Sequence, residues 1–98
     1  MNYQIQYSSY VKDDLIDIKN WYSKINSTLP KHFISEFKSI FDFIKTPPNS
    51  FEIRYENVRI AYLNRFPFGI HFELKEEIII VLGVFHASRY PKIWKKRN

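Results

Sequence analysis

The sequence contains no cysteine, which excludes a disulfide framework, a thiolate nucleophile and a cysteine-ligated zinc site. The three histidines, His32, His71 and His86, are too far apart in sequence to indicate a metal site by spacing. We therefore expect no metal and no cofactor. No apolar run approaches the roughly 20 residues of a membrane span. The first residues lack the basic and then apolar pattern of a signal peptide, so we expect a cytoplasmic protein that makes no membrane contact.

A chain of 98 residues has room for one hydrophobic core, and we expect a single domain over residues 1–98. Aromatic residues make up 18% of the chain and supply much buried area for so small a domain. The formal net charge is +5, and every arginine lies in the second half. This bias favours an anionic partner, either nucleic acid or an acidic protein segment. A solubilising surface explains the bare charge excess equally well.

The first half of the sequence predicts a strand followed by two helices. Tyr3, Ile5 and Tyr7 alternate with polar residues, which is the period of a strand. Two apolar stripes with helical spacing follow, separated by a short turn, so we expect an antiparallel helical hairpin. The stripes consist of Val11, Leu15, Ile18, Tyr22 and Ile25, and then Leu29, Phe33, Phe37, Ile40, Phe41 and Ile44.

The second half predicts a three-stranded antiparallel meander over Val58–Arg65, Phe66–Leu74 and Ile78–Phe85. Residues 51–56 are either a connector or a weak edge strand. A two-residue turn at Glu76 and Glu77 pairs Lys75 with Ile78, Phe72 with Val81, and His71 with Leu82. The predicted fold class is therefore α+β, with an N-terminal strand, a helical hairpin and the meander in one sheet that has its helices on one face.

The same register assigns side chains to the two faces of the sheet, and a slip of one residue would exchange them. The face that receives the helices is predicted to carry Phe66, Phe68, Ile70, Phe72, Leu74, Ile79, Val81 and Phe85. The opposite face is predicted to carry His71, Glu73, Ile80, Leu82, Val84 and His86, together with Arg59 and Arg65.

An ordered set of short motifs along about ninety residues resembles the RelE/ParE superfamily of bacterial type II toxin–antitoxin toxins. The segments that carry the resemblance are Asp14-Leu15, Trp21-Tyr22, Pro47-Pro48, Val58-Arg59, Arg65-Phe66-Pro67-Phe68 and His86-Ala87-Ser88-Arg89, followed by Pro91, Trp94 and Arg97. Phe68 and Phe72 stand where the family usually has tyrosines. The resemblance implies a growth-inhibiting toxin of the plasmid-stabilisation type, neutralised by a cognate antitoxin in a hetero-oligomer.

The resemblance leaves the target open. ParE-like members inhibit DNA gyrase, and the His86–Arg89 ending and the chain length favour that side. RelE-like members are metal-independent endoribonucleases that cleave mRNA on the ribosome. Several of them use lysines on the sheet, whereas this sheet is poor in lysine, with only Lys75 near the turn. A degenerate toxin that keeps only antitoxin binding is a third possibility.

The resemblance also implies candidate site residues. In a nuclease, Arg59, Arg65 and Arg89 would bind phosphate, and Tyr90 or His86 would transfer protons. Ion pairing with Glu56, Glu73 or acids of the helices explains the sheet arginines equally well, and a hydrogen-bonded structural role is favoured for His86. The candidate target-binding residues are Arg59, Arg65, His86, Arg89, Trp94, Lys95, Lys96 and Arg97. Packing of the tail onto the domain is an alternative for Trp94, and a solvated basic end is the alternative for residues 95–97.

Overall fold

The computed structural model describes residues 3–88, which form two helices over one mixed five-stranded sheet. The elements in chain order are β1 (Gln4–Tyr7), α1 (Ser9–Ser23), α2 (Leu29–Phe43), a 3-10 turn (Pro48–Ser50), β2 (Ile53–Tyr55), β3 (Val58–Tyr62), β4 (Phe68–Lys75) and β5 (Ile78–His86). The strand order is β1-β5-β4-β3-β2, with β1 parallel to β5 and the other neighbours antiparallel. The α+β class and the helical hairpin are confirmed. Residues 53–55 add a fourth strand to the predicted meander.

The core lies between the helical hairpin and one face of the sheet. Val11 and Ile18 from α1 and Phe33 and Phe37 from α2 are buried there. Phe33 also meets Phe66 edge-on, with ring centroids 5.4 Å apart. Burying one such side chain stabilises the fold by about 1.5–3 kcal/mol, so these positions hold the hairpin on the sheet.

The hairpin of β4 and β5 begins in the predicted register and then departs from it. The turn at Glu76 and Glu77 is confirmed, as are the pairs from Lys75–Ile78 to Phe72–Val81. His71 then pairs with Gly83 rather than with Leu82, because β5 contains one extra residue at this point.

This bulge shifts the alternation of β5 by one residue. Val84 therefore joins the core under the helices. Phe85 instead lies on the opposite face, with its ring 4.6 Å from that of His71. The assignment of these two residues from sequence was wrong, because it assumed an unbroken ladder.

Two residues near the start of α1 hold the bulge. The backbone N–H of Val84 donates to the buried Asp14 carboxylate at 2.9 Å. The Ser8 hydroxyl donates to the Leu82 carbonyl at 3.0 Å, and the Ser8 N–H donates to the Val81 carbonyl at 3.1 Å. Ser8 stands at the N-cap position of α1, but its hydroxyl bonds to the sheet and not to the helix. The helix is thereby fixed on β5 through backbone groups at and beside the bulge.

His71 is a buried polar residue on the face away from the helices. Its side chain is only 1% exposed, and its Nδ1 lies 2.8 Å from the Tyr55 hydroxyl. Burial lowers the pKa of His71 to about 4 from its usual 6.5, because the charged imidazolium would lose its hydration. His71 is therefore neutral at physiological pH.

Within the described part of the chain, no helix is long and apolar enough to cross a membrane.

Replacing Asp14 should reveal how much the bulge depends on α1. Asp14→Leu leaves the Val84 N–H buried without its acceptor, which should lower the free energy of unfolding by about 1–3 kcal/mol. Asp14→Asn keeps an acceptor oxygen and should lower it less. The exposed neighbour Asp13 provides the control, since Asp13→Leu should change stability by only about 0.5 kcal/mol. Urea unfolding measures the free energy of unfolding of all three variants. Equal losses of stability in Asp14→Leu and Asp13→Leu would contradict the role of Asp14 in holding the bulge.

Stability should fall as the pH drops from about 6.5 towards 4. The unfolded chain protonates His71 near its ordinary pKa of 6.5, whereas the folded chain does so only near 4. The unfolded state therefore binds more protons in this window, and acidification favours unfolding by up to about 3 kcal/mol. The free energy of unfolding, measured at several pH values, should depend less steeply on pH for His71→Gln than for the wild type. A His32→Gln control, altered at an exposed helical position, should keep the wild-type slope.

Candidate functional site

Arg59 lies on the helix-facing side of the sheet, not on the predicted opposite face. It pairs directly with Phe72 across β3 and β4, and paired residues share a face. Its Nη1 donates to the backbone carbonyl of Phe51 and, more distantly at 3.5 Å, to that of Asn49. The guanidinium therefore anchors the segment between α2 and β2. The ion pairing that the sequence suggested is not what holds it.

Arg65 is not on a strand, because β3 ends at Tyr62. It lies in the connection to β4, where its backbone N–H donates to Glu36 Oε1 on α2 at 2.9 Å. Its side chain lines a polar cavity of about 430 Å³ beside His32 and Asn64. The predicted placement of Arg65 next to Arg59 on the open sheet face was wrong, since the strand stops three residues earlier.

His86 also lies on the helix side and not beside His71. After the bulge it pairs with Phe68, and the two rings meet edge-on at 5.3 Å. The Ser88 N–H donates to His86 Nδ1 at 3.2 Å, and the Ser88 hydroxyl lies 2.9 Å from the same nitrogen. Because an N–H group can only donate, Nδ1 is the acceptor, and neutral His86 carries its proton on Nε2.

The structure therefore does not bring Arg59, Arg65 and His86 together. They occupy three separate places around the helical hairpin, and within residues 3–88 no contact joins any two of them. The remaining predicted site residues lie outside the described residues; these are Arg89, Tyr90, Trp94, Lys95, Lys96 and Arg97.

Arg54 is the arginine that the structure places on the face away from the helices. Its Cζ lies 5.7 Å from the centre of the Tyr62 ring, and its Nη2 is 3.8 Å from a Glu52 carboxylate oxygen. Both members of that ion pair are well exposed, so the pair adds little stability. Arg54 was not among the predicted site residues, because residues 51–56 were either a connector or a weak edge strand by sequence.

A groove of about 660 Å³ lies between α1 and α2 and extends to Tyr7 at the end of β1. Its floor is apolar and includes Leu15 and Phe37. Tyr7 and Ile16 on its border are 64% and 42% exposed, which is high for such large apolar side chains. Three exposed lysines also line the groove: Lys12, Lys19 and Lys38. An apolar floor with a basic border is suited to an amphipathic segment that carries acids.

The other flank of α1 has the opposite charge. Asp13 and Asp17, one helical turn apart, lie on this side. Asp17 lines a second cavity, of about 580 Å³, together with Trp21, Phe68 and His86. The helical period alone separates these acids from Lys12 and Lys19, so this sorting was readable from the sequence but was not recognised there.

No cluster of three or more His, Asp or Glu side chains suited to a metal ion occurs among residues 3–88.

Two comparisons with known proteins found matches, one to a family model and one to solved structures. The family model described as ParE toxin of type II toxin-antitoxin system, parDE, matches residues 5–91. Nine chains of solved structures match, among them one described as the chromosomal ParDE TA system from P. aeruginosa. That structure is similar with a TM-score of 0.76 and 18% sequence identity, over 86% of this chain and 95% of the other. A search of curated protein sequences found no match. Because the family model spans nearly the whole sequence, the chain belongs to the ParE toxin family of type II toxin–antitoxin systems.

Proposed function

We propose that this toxin stops growth by binding DNA gyrase, and that it does so without cleaving RNA. The observation that carries the proposal is the match of residues 5–91 to the ParE family model, since inhibition of gyrase is the activity of ParE toxins. The sequence similarity to solved structures is too low to add more than the fold.

The positions of the candidate residues support binding over RNA cleavage. A nuclease that acts without a metal needs cationic donors aimed at one scissile phosphate and a proton-transferring group within hydrogen-bond reach. In this chain Arg59 donates to main-chain carbonyls, while Arg65 and His86 lie elsewhere around the hairpin. The RelE-like alternative therefore rests on Arg89 and Tyr90.

We also propose that the cognate antitoxin, which membership of the ParE family implies, occupies the groove between α1 and α2. The groove offers apolar area for one face of a helix, and its lysines suit acids on that helix's borders. Covering Tyr7 and Ile16 would remove exposed apolar surface that is unfavourable for the free toxin.

The target is tested with purified toxin in two parallel assays. DNA supercoiling by gyrase should be inhibited, and mRNA on translating ribosomes should stay intact. Tyr90→Phe removes only a hydroxyl and should leave toxicity within about two-fold, because a binding surface keeps its ring, whereas losing a proton-transfer group costs a nuclease roughly 100-fold or more. Cleaved mRNA together with an inactive Tyr90→Phe variant would instead establish the RelE-like mechanism.

Arg59→Gln separates folding from function in the same assays. Losing the hydrogen bond to the Phe51 carbonyl should lower the unfolding free energy by about 1–3 kcal/mol. Once folded at low temperature, the variant should still inhibit gyrase. Arg65→Gln is the matched control, because its described hydrogen bond is made by the backbone, so its stability should hardly change. Full stability with lost toxicity in Arg59→Gln would show a direct role for Arg59 in the activity.

Charge reversal at the groove tests the antitoxin site. Lys12→Glu combined with Lys38→Glu should weaken antitoxin binding by roughly ten-fold at low salt, and the difference should shrink as salt is added. Lys24→Glu with Lys31→Glu makes the same change of net charge at exposed helical positions outside the groove. Calorimetric titration should show only a small loss of antitoxin affinity for that control pair. If both pairs bind the antitoxin equally well, the groove is not its site.

A further inference from the structure

The cavity between α1 and the paired ends of β4 and β5 combines an acid with an aromatic wall. Trp21, Tyr22 and Phe68 supply rings, and Asp17 and His86 supply the polar groups. Trp21 is 62% exposed, which is unusual for the side chain with the largest apolar area. The rings on either side are held firmly, since Tyr22 packs edge-on against Phe68 at 6.2 Å and Phe68 against His86 at 5.3 Å.

The polar groups of this cavity are available to a ligand. Asp17 has neither a hydrogen bond nor an ion pair with any residue of the described chain. His86 has its Nδ1 occupied by Ser88, which leaves the protonated Nε2 as its remaining polar atom. No lysine or arginine within residues 3–88 lines the cavity, although the chain as a whole carries a net charge of +5.

We propose that this cavity receives one arginine side chain of the antitoxin. A guanidinium stacks on aromatic faces and forms a forked pair with a carboxylate, and Trp21 and Asp17 offer both within one cavity. A nucleic acid fits less well, because its phosphates would be repelled by Asp17 and would find no cation among the described lining residues. The proposal rests on the proposed antitoxin interface, since α1 alone, about 10 Å across, separates this cavity from the lysine-bordered groove.

A single antitoxin segment that crosses α1 would then meet both flanks of the helix. Its acids would face Lys12 and Lys19, and its arginine would enter the cavity beside Asp17. Such an alternation of charges fixes the register of a bound segment and disfavours segments with the wrong order.

The chemistry of the cavity is tested first without the antitoxin. Acetyl-arginine amide is titrated into the toxin while the indole N–H signal of Trp21 is followed by NMR, and Trp21→Phe assigns that signal. The signal should shift saturably with a Kd in the millimolar range, as expected for one side chain, and Asp17→Asn should weaken binding by about five-fold. Acetyl-citrulline amide, the uncharged analogue, should bind more weakly. No saturable shift, or a larger shift with guanosine monophosphate, overturns the proposal.

The antitoxin is then titrated into the Asp17→Asn toxin. Its affinity should fall by about five-fold, whereas Asp13→Asn, an equal change of charge outside the cavity, should lower it by less than about two-fold. Equal affinities for the two variants overturn the assignment of the cavity to the antitoxin. Such a result differs from failure of the groove, because the Lys12→Glu and Lys38→Glu pair would still weaken binding.

Discussion

The extra residue at Leu82 is the constraint on which the rest of the structure depends, because it decides the face of every later residue in β5. It turns Val84 into the core and brings His86 to the helix side. A bulge of this kind is tolerated only where its unpaired backbone groups find other partners. Ser8 provides a partner for the Leu82 carbonyl, Asp14 provides one for the Val84 N–H beside the bulge, and α1 is thereby fixed on β5 in one position. The placement of Asp17 beside His86 follows from the same arrangement.

The net charge of +5 does not indicate which charges a bound partner meets on each part of the surface. Salt screens exposed charges over about 8–10 Å, which is the width of one helix, so a partner at either flank of α1 responds mainly to the charges of that flank. One flank presents Lys12 and Lys19 around an apolar groove, and the other presents Asp17 beside aromatic rings. A partner that contacts both flanks must carry both signs of charge in a fixed order. Opposite charges on the two flanks of α1 can therefore select a partner, although the buried stripe between the flanks only packs in the hydrophobic core.

Much of the fold was predictable from the sequence, and the failures have physical causes. The helical stripes and the turn at Glu76 and Glu77 were placed correctly, except that Ile25 follows the end of α1 and is exposed. The bulge was not, because Ile78–Phe85 is apolar on both faces, so an alternation of polarity gives no register there. Gly83 was the available signal, since a glycine inside a strand often marks a bulge. The candidate site was predicted less well. Arg59 and Arg65 were assigned to the open face of one strand, but Arg59 pairs with Phe72 on the helix side and β3 ends before Arg65.

Arg59 illustrates why the fold alone does not decide the chemistry of this superfamily. A basic residue on the sheet stabilises a transition state only if its donors point to where charge develops on the substrate. Here the guanidinium points to the Phe51 carbonyl, and Phe51 in turn packs edge-on against the buried Phe72 at 5.6 Å. Turning Arg59 towards a substrate would break this link and loosen the edge of the core, at a free-energy cost comparable to the gain from one phosphate contact. In this chain the guanidinium of Arg59 is already bonded within the fold, so using it on a substrate would carry this cost.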